Sequence, residues 1–173
     1  RSCIRSRVKM SERDYIEDTF TVQHSGVFDF NGLYRLLRKW FKQYKYNLTE
    51  PAYKDLREEG SRNVKLKWIA KRKITDYARY IIETEISLKN LEEVMVKKKK
   101  MAKTSLSVSL MAYIDKDYEE TWYRKSFYKF MREVYDKFAQ GQQYESMEKD
   151  LKRDLRAIAD EIKTYLNLFK QQD

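Results

Sequence analysis

Between residues 64 and 115, apolar and polar side chains alternate in three stretches: Val64–Lys73, Ala78–Leu88 and Ser105–Asp115. A period of two sends alternate side chains to opposite faces, so each stretch reads as a strand with one buried face. Val64, Leu66, Trp68 and Ala70 form the apolar set of the first stretch. Tyr80, Ile82, Ile86 and Leu88 form that of the second, and Leu106, Val108, Leu110, Ala112 and Ile114 that of the third. Like charges directly opposite on neighbouring strands destabilise a sheet, which selects registers. Pairing Trp68 with Ile82 sets Lys67 against Glu83, Lys65 against Glu85 and Ile69 against Ile81. Pairing Ile86 with Val108 sets Arg79 against Asp115, Ser87 against Ser107 and Ile81 against Tyr113. A neighbouring register of the first hairpin also satisfies the rule. On this reading the lysines of Val64–Lys73 are largely neutralised by Glu83 and Glu85.

On the N-terminal side, Tyr15–Ser25 sets Ile16, Phe20 and Val22 against Thr19, Thr21 and Gln23, a strand ended by Gly26. Asp29 or Asn31 then caps a helix, because a short side-chain oxygen reaches the unpaired amides of a first turn. Leu33, Leu36, Leu37, Trp40, Phe41 and Tyr44 share one face of it, and Thr49-Glu50-Pro51 closes it. Tyr53–Leu56 reads as a short strand and residues 59–63 as a turn. Beyond Trp122 the period becomes helical. Phe127, Phe130, Met131, Val134 and Phe138 define a helix from near Ser126 to Gly141. A last helix, about Tyr144 to Phe169, carries Leu151, Leu155, Ile158, Ile162, Tyr165 and Phe169 in a coiled-coil-like seam. The expected fold is α+β: an antiparallel sheet of four to five strands, one helix after the first strand, and two C-terminal helices within about residues 122–170. Residues 10–173 read as a single domain. Met10 followed by Ser-Glu-Arg-Asp reads as a native start, so Arg1–Lys9, including Cys3, is expected to be a non-native or disordered basic extension.

Composition excludes several classes. One Cys and one His among 173 residues leave no disulfide scaffold and no ordinary zinc site. No apolar run approaches the roughly 18 residues of a membrane helix. Phosphate-binding glycine loops and His/Glu metal motifs are absent from the sequence. His24 shares the apolar parity of Phe20 and Val22 and reads as a buried or edge histidine rather than a catalytic base. The pairs Glu58/Glu59, Glu92/Glu93 and Glu119/Glu120 read as solvated acids. A non-catalytic, cytoplasmic protein is expected, with no cofactor, metal or small-molecule substrate inferred.

The function-like signal is the distribution of a net charge of +10. Asn31–Thr49 holds Arg35, Arg38, Lys39, Lys42 and Lys45 and no acid. Lys97, Lys98, Lys99 and Lys100, with Lys103 beyond them, form a second cluster at or near the tip of the long second hairpin. Such clusters suit a polyanion, most simply nucleic acid, or an anionic membrane surface. The plainer readings are a solvated helix face and a lysine-protected loop. Ile69, Ile81, Met111 and Tyr113 fall on the sheet face turned from the helices, ringed by charge, which suits an interface. With the seam residues Leu155 and Ile162 they support an alternative, self-assembly into an oligomer, filament or shell. Docking of the seam within the chain is the competing reading.

The runs Phe20-Thr21-Val22-Gln23, Gly26-Val27-Phe28-Asp29, Gly32-Leu33-Tyr34 and Trp40-Phe41, with Tyr53-Lys54 before the charged hairpin, are similar to those of a group of small archaeal proteins of no assigned activity. The resemblance covers about residue 15 to the end. It implies a cytoplasmic protein of an archaeal cell or virus and assigns no functional residue. The four-lysine run lacks the glycine of a tighter turn.

Overall fold

A computed structural model describes residues 12–15, 19–58, 60–75, 78–96, 98–116 and 140–170. The strands are β1 (Glu12–Tyr15), β2 (Phe20–Phe28), β3 (Asn47–Glu58), β4 (Ser61–Lys73), β5 (Ala78–Val96) and β6 (Lys99–Lys116). The helices are α1 (Phe30–Gln43), between β2 and β3, and α2 (Gln140–Lys170). The class is α+β. Every strand pairing is antiparallel: β3, β4, β5 and β6 form a meander, and β1 and β2 both pair with β6, at Tyr113–Lys116 and Ala102–Leu110 respectively. These strands exceed the expected four to five because β1 and β2 divide one sheet edge between them. The first helix accordingly follows the second strand.

β2 and β3 lie on opposite edges and run in the same direction, so the chain must cross a sheet face between them. A helix commonly makes such a crossing, and here it is α1. Both helices cover that face. Leu33, Leu37, Trp40 and Phe41 of α1 and Leu151, Leu155, Ile158 and Ile162 of α2 meet Val22, Trp68, Ile82, Val108 and Leu110 of the sheet in one core. The seam of α2 therefore docks within the chain. Among the described residues one C-terminal helix is present; the expected helix from Ser126 falls on residues 117–139, outside them, as does the Arg1–Lys9 extension. Gly141 does not stop a helix but lies in the first turn of α2. No helix of the described residues is long and apolar enough to cross a membrane.

The β5–β6 register holds in every expected pair: Ile86 with Val108, Arg79 with Asp115, Ser87 with Ser107, Ile81 with Tyr113. The β4–β5 register is offset by two. Trp68 faces Thr84, Lys67 faces Glu85, Ile69 faces Glu83 and Lys65 faces Ser87. A two-residue slip preserves which side chains share a face, so hydrophobic patterning cannot detect it. Charge does not detect it either, because Lys67 Nζ reaches both Glu83 (2.8 Å) and Glu85 (3.5 Å).

Three boundaries differ from the sequence reading. β2 continues through Gly26, whose φ of 135° is open to glycine and to few other residues. Tyr53–Leu56 is the middle of a twelve-residue strand that absorbs Thr49-Glu50-Pro51 at an irregularity between Thr49 and Ala52. The helix instead stops at Gln43. Tyr46 N–H donates to Phe41 C=O (2.8 Å) and Lys45 N–H to Lys42 C=O (3.1 Å) around Lys45 at φ 60°. This is the paired-bond helix stop that normally places glycine in the left-handed position; the lysine there hides it from a sequence search.

Candidate anion-binding surface

α1 is fixed at both ends. At its start Asp29, the cap, accepts from Gly32 N–H (2.9 Å) and lies 2.7 Å from Lys99 Nζ. Burial pushes the Asp29 carboxyl up, but the bonds from Lys99 and Gly32 and the nearby charges of Lys99 and Arg35 outweigh it and leave it below its ordinary value. Tyr165 of α2 donates to Asp29 C=O (3.0 Å). That approach needs Gly32, since a Cβ there would meet the Tyr165 hydroxyl at 2.0 Å. At the other end Arg72 donates to Tyr44 C=O (3.1 Å) and pairs with buried Asp154 of α2 (2.7 Å). Tyr46 donates to the same carboxylate (2.9 Å). Burial, reinforced by Asp154, pushes the Tyr46 phenol far above its usual range.

Between these anchors the outward face is cationic. Arg35, Arg38, Lys39, Lys42 and Lys45 are all exposed. Arg35 donates to Asn31 C=O and Arg38 to the Tyr34 hydroxyl, over whose ring it also lies. Among the described residues, none of the five has an ion-pair partner within 4 Å, whereas many cations elsewhere do. Arg35, Arg38, Lys39 and Lys42 are thus brought onto one face of α1, over about 10 Å at helical rise, and Lys45 follows just past its end.

The hairpin tip is different. Lys97 lies outside the described residues. Lys98 is exposed in the turn with φ 66°. Lys99 is committed to Asp29, Lys100 lies 4.0 Å from Glu93, and Lys103 lies 3.5 Å from Glu92. Of the predicted tip cations, Lys99 is therefore also a partner of the α1 cap, with its side chain still exposed. The β5–β6 register is irregular between Lys89 and Glu92, with Asn90 at φ 53°. The β2–β6 ladder ends with Phe28 opposite Ala102, which puts the start of β6 beside Asp29.

The predicted interface residues are mostly withdrawn from the surface. Leu155 and Ile162 are fully buried in the core, which corrects their assignment to an interface. Ile81 and Tyr113 are on the outer sheet face as expected, yet each is only 3% exposed. Tyr113 packs against Tyr15 and Arg13 of β1, a strand the sequence reading did not separate, and donates to Glu83 (3.1 Å). Ile69 is half-buried and Met111 is exposed. His24 is buried on the core side, edge-on to Phe28 at 5.3 Å between ring centroids.

Among the described residues, no group of three or more His, Cys, Asp or Glu side chains is placed to hold a metal ion. Neither the protein-family models nor the curated proteins give a match to this chain.

Proposed function

We propose that this protein binds a polyanion, most simply nucleic acid, through the exposed face of α1. The observation that carries this reading is the set Arg35, Arg38, Lys39 and Lys42 on a helix anchored at both ends, with Lys45 just past its last turn: five outward cations with no carboxylate partner among the described residues. Anchoring matters because cations held in place lose less freedom on meeting phosphates than cations on a mobile arm. Lys45 adds support. A side chain at φ 60° is strained relative to glycine, and a strained residue at the end of a charged stripe fits retention for contact.

The test is fluorescence anisotropy with labelled single- and double-stranded oligonucleotides at two salt concentrations. Binding weakens steeply with salt, and Arg35→Gln/Lys39→Gln/Lys42→Gln lowers the slope of log affinity against log salt by about 2–3. An absence of binding at low salt, or an unchanged slope in the variant, overturns the proposal.

A further inference from the structure

The outer sheet face, opposite the helices, holds a second concentration of cations. The β3–β4 register sets Lys54 directly against Lys65, and the β4–β5 register sets Lys65 against Ser87. Lys89, two residues beyond Ser87 on the same face, is the diagonal neighbour of Lys65. All three lysines are exposed, and among the described residues none has an ion-pair partner. Glu83 and Glu85 both pair with Lys67, and among the described residues neither lies within ion-pair distance of Lys54, Lys65 or Lys89.

Two lysines directly opposed on a sheet repel each other. An exposed edge strand gains protection from any single charge, so protection alone does not explain why β3 and β4 carry the same sign at the same rung. The surroundings are also shaped. Short residues flank the long ones: Ala52 faces Lys67, and Ser87 faces Lys65. They leave an open groove of about 350 Å³ bordered by Ala52, Lys54, Lys65, Lys67, Glu85 and Ser87. The two ammonium groups only donate and the Ser87 hydroxyl can donate, which complements a phosphate with its several acceptor oxygens, while the bordering Glu85 carboxylate lies 3.5 Å from Lys67 Nζ.

We infer that this groove is a phosphate-binding site, in which Lys54 and Lys65 hold the oxyanion and Ser87 donates a neutral hydrogen bond. The phosphate is that of a free nucleotide or of a nucleic-acid backbone. The groove lies on the face opposite α1, so it is a separate site that stands or falls independently of the α1 reading.

The full chain is titrated at low salt with ADP and, separately, with a labelled oligothymidylate. The same titrations are run on Lys54→Gln/Lys65→Gln, on the α1 triple variant, and on Lys149→Gln/Lys163→Gln as a control of equal charge change. ADP binding, or strand binding, falls by about tenfold or more in the groove variant and by about twofold or less in the control. Loss of ADP binding identifies a nucleotide site; loss of strand binding alone identifies a backbone site. The groove variant relieves a repulsion, so its melting temperature without ligand is no lower than that of the parent, which separates lost binding from lost folding. If ADP and the strand both bind the groove variant as tightly as the parent, or neither binds the parent, the inference is overturned. Strand binding lost only in the α1 variant leaves the α1 reading standing without this one.

Discussion

Lys45 joins two roles that pull in opposite directions. As the left-handed residue after α1 it occupies a backbone conformation that costs a side-chain-bearing residue about 1–2 kcal/mol relative to glycine. As the last cation of the α1 stripe it extends the charged span by nearly a turn. Lys45→Gly is therefore expected to raise the stability of the fold, by about 1 kcal/mol in urea denaturation, while weakening oligonucleotide binding at low salt. A variant that is less stable than the parent contradicts the backbone argument. Gly32 is the reverse case, a residue whose value is the space it leaves for Tyr165. Its importance has no sequence signal, because the partner is 133 positions away and helical glycines are ordinarily weak points.

At the scale of elements, legibility followed the periodicity of each segment. β4, β5, β6, α1 and α2 were readable because their buried faces are continuous. The β4–β5 offset was not, since both registers present the same faces and Lys67 reaches either glutamate. That offset decides whether Lys65 is neutralised, so a two-residue error concealed the second cationic surface. The α1 cations were readable because helical spacing alone gathers them. The pairing of Lys99 with Asp29 was not, because it depends on a β2–β6 ladder between segments more than 70 positions apart. This contact has a pH signature. The folded Asp29 carboxyl lies below its unfolded value near 3.9, so its contribution is complete above about pH 4 and is lost as pH falls through the folded value. Lys99→Gln is expected to flatten the loss of urea stability below about pH 4, relative to the parent. Parallel curves for the two proteins would show that the pair does not couple to folding.

For the whole molecule, charge and aromatic burial divide the surface from the interior. Burial is the leading cause that pushes the phenols of Tyr80, Tyr113 and Tyr165 up to about 12, with Asp150, Glu83 and Asp29 respectively adding to it. A phenol raised in the folded state contributes stability that is complete below its unfolded value near 10 and lost as pH rises through the folded one. An alkaline titration followed by phenolate absorbance is expected in two stages. An ordinary phenol ionises near pH 10, whereas Tyr80, Tyr113 and Tyr165 ionise toward pH 12 together with the loss of folded circular dichroism. A single stage near pH 10 with the fold retained would contradict the burial described. The sheet thus presents α1 on one side and the lysine groove on the other. The α1 side depends on distant parts of the chain, since Tyr165 holds its start across 136 positions and Asp154 holds Tyr46, just past its end, across 108. A synthetic peptide of residues 29–46 would keep the cations and lose the scaffold that spaces them, so it would be a poor surrogate for the intact surface.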